Sequence, residues 1–293
     1  MTPRGAAPTS EGAVRNALTI DVEEYFQAHA YAKVVDRAEW EHLPARVVAN
    51  VRRLLALLAE HGTRATFFVL GWVADRHPEV VREIAAAGHE VGSHGYAHQL
   101  LDRQAPEEFA EDLARSLAAI GRALGRPEAL LGYRAPGFSL TPRTLWALDI
   151  LRAHGIRYDS SLQPLLTRGG NGAYGASRFA TRLDAGLWEF PVSTVRLAGY
   201  NCPVAGGAWF RLLPLWVTRR AIERINDEGR PAVVYLHPWE VDPEEPVVPG
   251  APLLARVRHR MNLSRTEGRL RRLLGERSFG PLCEVFAAEL GQG

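Results

Sequence analysis

The chain has 293 residues, 46% of them hydrophobic and 23% charged, with a formal charge of +2. Such a composition excludes a disordered chain, and the small net charge gives no reason to expect nucleic acid as a partner. All basic residues except Lys33 are arginine, so arginine clusters reflect composition before they signal function.

Residues 1–16 are rich in Pro, Gly, Ala and Ser and predict a flexible segment without the apolar core of a signal peptide. No apolar run reaches bilayer-spanning length, so a cytoplasmic protein is the default expectation. Cys202 and Cys283 lie too far apart in sequence for a zinc knuckle or a redox pair, and two cysteines make no disulfide framework.

The first predicted strand is the apolar run at 17–20, which ends in acidic residues. Val47, Val51, Leu54 and Leu58 then fall at helical spacing, with Gly62 as the stop. ATFFVL at 65–70 reads as a second strand. Pro78 opens a helix ending at Gly88, and a strand is expected around 89–92. A helix from Pro106 to Gly125 precedes a strand leading into Tyr133. Pro142 opens another helix ending near Gly155, followed by a strand at 156–158, a Gly-rich loop at 168–175 and a strand at 188–192. A helix at 215–228 and the apolar strand AVVYL at 232–236 complete the alternation.

About seven strands alternating with helices predict an α/β fold with a parallel sheet closed or nearly closed into a barrel over 17–240. An open doubly wound sheet would give a similar string. Residues 241–293 form an extension that is first acidic and Pro-rich, then arginine-rich from Arg256 to Arg277. Ser264 and Glu267 read as a capping box for a helix through Leu274. The extension is expected to pack on the barrel as a solvated helix, with contact to an anionic membrane surface or a glycan as the rarer reading.

In parallel β/α folds the C-terminal strand ends build the site. Asp21 and Glu23 point the same way along an extended chain, whereas Glu24 faces the other side. Two adjacent carboxylates call for a cation or a shared proton between them. His94 and His98, four apart, can present both imidazoles on one side of a helical turn. With one carboxylate they make a three-ligand set that leaves positions open, suited to catalytic zinc and equally to ferrous iron. Arg134, at the next strand end, can hold a carboxylate in place. His237 closes the last apolar strand at the same end.

These pieces, in order TIDVEE, ATFFVLG, SHGYAH, GYRAPGFS and LHPWE, resemble the polysaccharide deacetylase family, or NodB-homology domain, from about Leu18 to Glu240. The DVE-type first motif, YDSS at 158–161 and GGAWFRLLP at 206–214 are most similar to the branch found beside exopolysaccharide gene clusters. The resemblance implies a distorted (β/α)7 barrel with a short C-terminal helical extension, and hydrolysis of N-acetyl groups on a glycan or a lipid-linked oligosaccharide. It implies Asp21 as base, Arg134 as its orienting arginine and His237 as general acid. A carboxylate with His94 and His98 would hold a divalent metal: zinc first, with iron, cobalt or nickel as alternatives. Many members have adjacent aspartates in the first motif, whereas Val22 follows Asp21 here. The ligand is then Glu23 or Glu24, and the same-face argument favours Glu23. Gly95 stands where members often have Ser or Thr. A further carboxylate tuning the acid histidine is expected from Asp159 or Glu189. Tyr25, Pro136, Trp209 and Trp239 are candidates to contact sugar rings. Deformylase or cyclic ureide hydrolase chemistry, ferrous redox chemistry, and a non-catalytic glycan-binding module are the alternatives.

Overall fold

The computed structural model describes residues 14–125, 130–165, 176–183 and 186–291. The Gly-rich loop at 168–175 and most of the 1–16 segment lie outside the described residues.

Seven strands run parallel side by side: β1 (Asn16–Val22), β2 (Thr66–Val69), β3 (Glu90–Ser93), β4 (Gly132–Tyr133), β5 (Tyr158–Asp159), β7 (Trp188–Glu189) and β10 (Val233–Leu236). Their spatial order is β10-β1-β2-β3-β4-β5-β7, with β6 (Thr181–Arg182) antiparallel on the far edge. Every residue of β1 is buried, as a strand covered on both faces requires. The sheet curls into an α/β half-barrel. Its two edges are not paired as strands, and loop backbone fills the gap. Ser193 donates its N–H to Val233 O at 3.1 Å, and Tyr235 donates to Ala205 O at 3.0 Å.

Helices α1 (Val47–Glu60), α2 (Gly71–Arg76), α3 (Pro78–Ala86), α4 (Pro106–Leu124) and α5 (Trp146–Ala153) cover the first five strands. Their apolar stripes, such as Val47, Val51, Leu54 and Leu58 of α1, join the main core. The expected helix from Pro142 begins at Trp146, after a turn in which Thr144 Oγ1 accepts Thr141 N–H at 2.8 Å. A hairpin of β8 (Thr194–Leu197) and β9 (Tyr200–Pro203), unforeseen in the sequence, leads to α6 (Gly207–Leu212) and α7 (Leu215–Asp227).

The extension contains α8 (Leu253–Arg260), α9 (Leu263–Glu276), β11 (Phe279–Gly280) and α10 (Leu282–Val285). β11 pairs with the start of β1, matching Asn16 with Phe279, so the extension completes the sheet as well as covering it. The capping box at Ser264 and Glu267 does not form. α9 starts at Leu263 behind Asn262, whose φ is 61°, and Glu267 instead accepts from Arg53 and Arg271. Among the described residues, no helix is long and apolar enough to cross a membrane.

Candidate active site

The C-terminal ends of β1, β3, β4, β5 and β10 meet at one mouth of the half-barrel. A cleft of about 620 Å³ there is lined by Asp21, Glu23, His94, His98 and His237, with Gly137, Phe138 and Tyr235 on its walls.

Arg134 is fully buried, and every donor on its guanidinium named here has a partner. Nη1 donates to Asp21 Oδ1 and to Thr19 Oγ1, both at 2.7 Å. Nε donates to Ser160 O at 2.9 Å, and Nη2 to Ser160 Oγ at 2.7 Å. One side chain thus ties the ends of β1, β4 and β5 together. Asp21 Oδ2 has no hydrogen-bond partner among the described residues.

Glu23 and Glu24 separate as alternation along the chain requires. Glu23 Oε2 lies 2.7 Å from His98 Nε2. Glu24 turns away, and its Oε1 accepts from Arg46 N and Val47 N at 2.8 and 2.9 Å, capping α1. Burial pushes Glu24 up to about 7. Burial also opposes charge on Glu23, but His98, His237 and His94 outweigh it and hold its carboxyl far below the usual range.

His94 and His98 do not sit on a helical turn. They flank a loop in which Gly95 has φ 74° and His98 has φ 49°, a left-handed conformation uncommon outside glycine. Asp112 of α4 holds this loop, with Oδ2 accepting from Tyr96 N at 2.7 Å and Oδ1 from Ala97 N at 3.0 Å. A Cβ on residue 95 would meet Asp112 Oδ2 at 3.0 Å. Gly95 and Asp112 therefore work as a pair. His94 Nδ1 donates to Arg134 O at 2.7 Å, which leaves Nε2 as the lone-pair nitrogen facing the cleft. Burial lowers the His94 pKa to about 4, so its ring is neutral near pH 7.

Glu23, His94 and His98 each offer one ligand atom, and these atoms lie within 4.8 Å of one another. Glu23 Oε2 is buried, and the group closest to it, His98 Nε2 at 2.7 Å, is itself a candidate ligand. A buried carboxylate oxygen facing two histidine nitrogens fits a divalent cation.

His237 Nδ1 lies 2.7 Å from Glu240 Oε1, and its Nε2 is 3.8 Å from Glu23 Oε1. Burial disfavours charge on His237, but Glu23 and Glu240 outweigh it and raise the pKa to about 9. Glu240 is held in turn by Arg211, whose Nε donates to Oε2 at 2.7 Å. Arg211 Nη1 also donates to the carbonyls of Arg258, His259 and Met261, linking α6 to the turn between α8 and α9.

The carboxylate beside His237 is thus Glu240, not Asp159 or Glu189. Those two face each other in register on β5 and β7, fully buried. Burial and repulsion by Asp159 push Glu189 well above the ordinary carboxylate range, so it keeps its proton. Asp159 accepts the Ser161 hydroxyl, and Ser161 Oγ accepts Ala135 N–H at 2.7 Å. The pair thereby supports the loop that carries Arg134.

The expected sugar contacts are corrected in part. Trp239 is buried and stacked on His237 at 4.9 Å and 19° and on His259 at 4.0 Å and 22°. Its indole N–H donates to Glu23 Oε1 at 3.1 Å, so Trp239 positions a candidate ligand while it lines the cleft. Tyr25 packs among Phe26 and Trp239 in a buried cluster. Pro136 is buried, and the cleft wall beside it comes from Gly137 and Phe138. Trp209 is partly exposed, next to the cleft-lining Ala208.

Comparison with known proteins divides the chain in two. Residues 40–158 match the family model described as polysaccharide deacetylase, and residues 160–287 match a domain of unknown function, DUF3473. A chitooligosaccharide deacetylase of Bradyrhizobium sp. (strain ANU 289) is 35% identical over 98 residues, 33% of this chain and 42% of the relative. A peptidoglycan deacetylase of Helicobacter pylori is 33% identical over 113 residues, 39% of this chain and 37% of the relative. The matched stretches thus span less than half the length of these relatives. Among solved structures, one named as a polysaccharide deacetylase from Mycobacterium smegmatis has a TM-score of 0.63 at 21% identity, covering 99% of this chain and 95% of that one. A peptidoglycan N-acetylglucosamine deacetylase structure has a TM-score of 0.51 at 15% identity, covering 94% and 89%. At these identities the likeness establishes the fold.

Proposed function

With the polysaccharide deacetylase family supported by the family model and the relatives, we propose that this chain is a metal-dependent carbohydrate N-deacetylase. Its substrate is an N-acetylated amino sugar within a polysaccharide or a lipid-linked oligosaccharide precursor. The observation that carries the reading is Asp21, bound to buried Arg134 through one oxygen, with the other unpaired beside the Glu23–His94–His98 cluster. The DVE motif, YDSS and GGAWFRLLP support placing it in the exopolysaccharide-locus branch.

Glu23, His94 and His98 would hold a divalent cation, zinc first, which when bound would supply Lewis-acid polarisation of the amide carbonyl and a more acidic water. Asp21 takes the proton of the attacking water on Oδ2 while Arg134 keeps the carboxylate from turning. His237 gives a proton from Nε2 to the departing amine, because an amide nitrogen leaves poorly unless protonated. Glu240 fixes the ring by accepting from Nδ1, and Arg211 fixes Glu240. Acetate and a free amino sugar result.

The test is acetate release from a panel of N-acetylglucosamine oligosaccharides by zinc-loaded protein. Release that disappears in His237→Ala supports the assignment. No release from any of them, with turnover of N-formyl or cyclic ureide compounds instead, would move the protein to a related amide hydrolase.

A further inference from the structure

Helix α8 is turned inside out for a helix on a globular protein. Its one buried residue is His259, which stacks on Trp239 and pairs with Glu245 Oε2 at 3.0 Å. The apolar residues point outward: Leu253 is 69% exposed, Leu254 79%, Val257 47% and Met261, just beyond the helix, 40%. Spaced at 253, 254, 257 and 261, they form one stripe along the helix. Single exposed leucines need no explanation, but a continuous apolar stripe does.

The charge along this segment of the chain has one sign. No Asp or Glu occurs between Glu245 and Glu267, whereas Arg256, Arg258, Arg260 and Arg265 do. Among the described residues, Arg256, Arg258 and Arg265 form no ion pair. Apolar side chains interleaved with unpaired arginines are complementary to a surface that is anionic at its headgroups and apolar just beneath. A protein partner fits less well. The four apolar side chains expose on the order of 400 Å², about half of the roughly 800 Å² per partner that a stable protein interface buries. The stripe is also continuous with the cleft, since Leu254 belongs to both and Arg258, next to Val257, lines the cleft.

We propose that the outer face of α8 docks on an anionic lipid bilayer, holding the cleft mouth at the membrane surface, where a glycan carried on a lipid would be presented. His259 and the three carbonyls gripped by Arg211 hold the helix rigidly in that orientation, next to the His237–Glu240 pair. The docking stands independently of the deacetylase reading, because it is measured without turnover.

The test is flotation of the full chain with vesicles of phosphatidylglycerol and, in parallel, of phosphatidylcholine alone. The expected result is at least tenfold greater partition onto phosphatidylglycerol, weakened by 0.5 M salt. Leu253→Glu/Val257→Glu should cut that partition at least tenfold with an unchanged melting temperature and unchanged metal binding. Neither residue lines the cleft. Arg256→Glu/Arg265→Glu should remove the preference for the anionic lipid. Failure to float with phosphatidylglycerol, or equal flotation of the Leu253/Val257 variant, overturns the proposal. So does a dimer in sedimentation that Leu253→Glu dissociates, since the face would then belong to a second copy.

Discussion

Arg211 and Glu240 form a buried ion pair on which the orientation of His237 depends, and a double-mutant cycle measures it. Both are essentially inaccessible to solvent, with Nε and Oε2 2.7 Å apart. Charge centres about 4 Å apart at an effective dielectric near 20 attract by about 4 kcal/mol. Removing one member of such a pair costs about 3–5 kcal/mol, because the other stays buried and uncompensated. Glu240→Gln keeps an acceptor for His237 but turns an amide N–H₂ toward the Arg211 donors. Arg211→Met leaves the Glu240 carboxylate with His237 as its remaining charged partner and also loses the bonds to the carbonyls of residues 258, 259 and 261. The double variant strands neither charge. Urea unfolding of metal-free full-length protein should therefore give single losses of about 3–5 kcal/mol each and a double loss well below their sum, with coupling of about 2–4 kcal/mol. Acetate release should fall by about 10² or more in Glu240→Gln, the scale of a misplaced general acid. Additive single losses, with coupling under about 0.5 kcal/mol, would refute the pairing as the support of His237.

Three further outcomes follow from the geometry. Trp239→Phe removes the N–H that holds Glu23 Oε1 while keeping an aromatic ring, so zinc affinity in competition titrations should drop about 10- to 100-fold; an unchanged affinity would contradict the role. Asp112→Asn leaves one acceptor for the two loop N–H groups, and zinc affinity should fall by a similar factor. His89 Nδ1 accepts Ala65 N–H at 3.1 Å, and burial, with Arg64 nearby, lowers its pKa to about 4. Its contribution is complete above the unfolded value near 6.5 and is lost as pH falls toward 4. After discounting for its partial exposure, that is about 2 kcal/mol. Wild type minus His89→Gln stability, measured against pH, should show this slope, and a flat difference would refute it.

β1, β2 and β10 were legible as short apolar runs, and β3, β4, β5 and β7 as the links between successive helices; strand ends are where parallel α/β folds place chemistry. Asp21, Glu23, His94, His98 and His237 all line the cleft for that reason, with Arg134 buried behind Asp21. The support around them was harder to read. Glu240 stands three residues after His237 in LHPWE, where a carboxylate also reads as an ordinary helix-turn acid, and the family resemblance points to Asp159 or Glu189 instead. Arg211 was hidden by composition, since in a chain of arginines nothing local marks the one that is buried. Asp112 lies mid-helix on α4, and only the fold brings it under the histidine loop. The β8–β9 hairpin and β11 escaped because they stand outside the strand–helix alternation that marks the parallel strands. The site also draws on three stretches. Asp21 and Glu23 precede residue 40, and Arg211, His237 and Glu240 lie in the 160–287 segment, so only His94, His98 and Arg134 fall within the polysaccharide deacetylase match.

The central claim, that Glu23, His94 and His98 hold the metal while Asp21 stands beside it as the base, is tested most directly by measuring bound zinc and acetate release together in two variants. Asp21→Asn should keep about one zinc per chain and lose turnover by about 10³ or more, whereas His94→Ala should lose both. Loss of zinc from Asp21→Asn would make Asp21 a ligand and contradict the account.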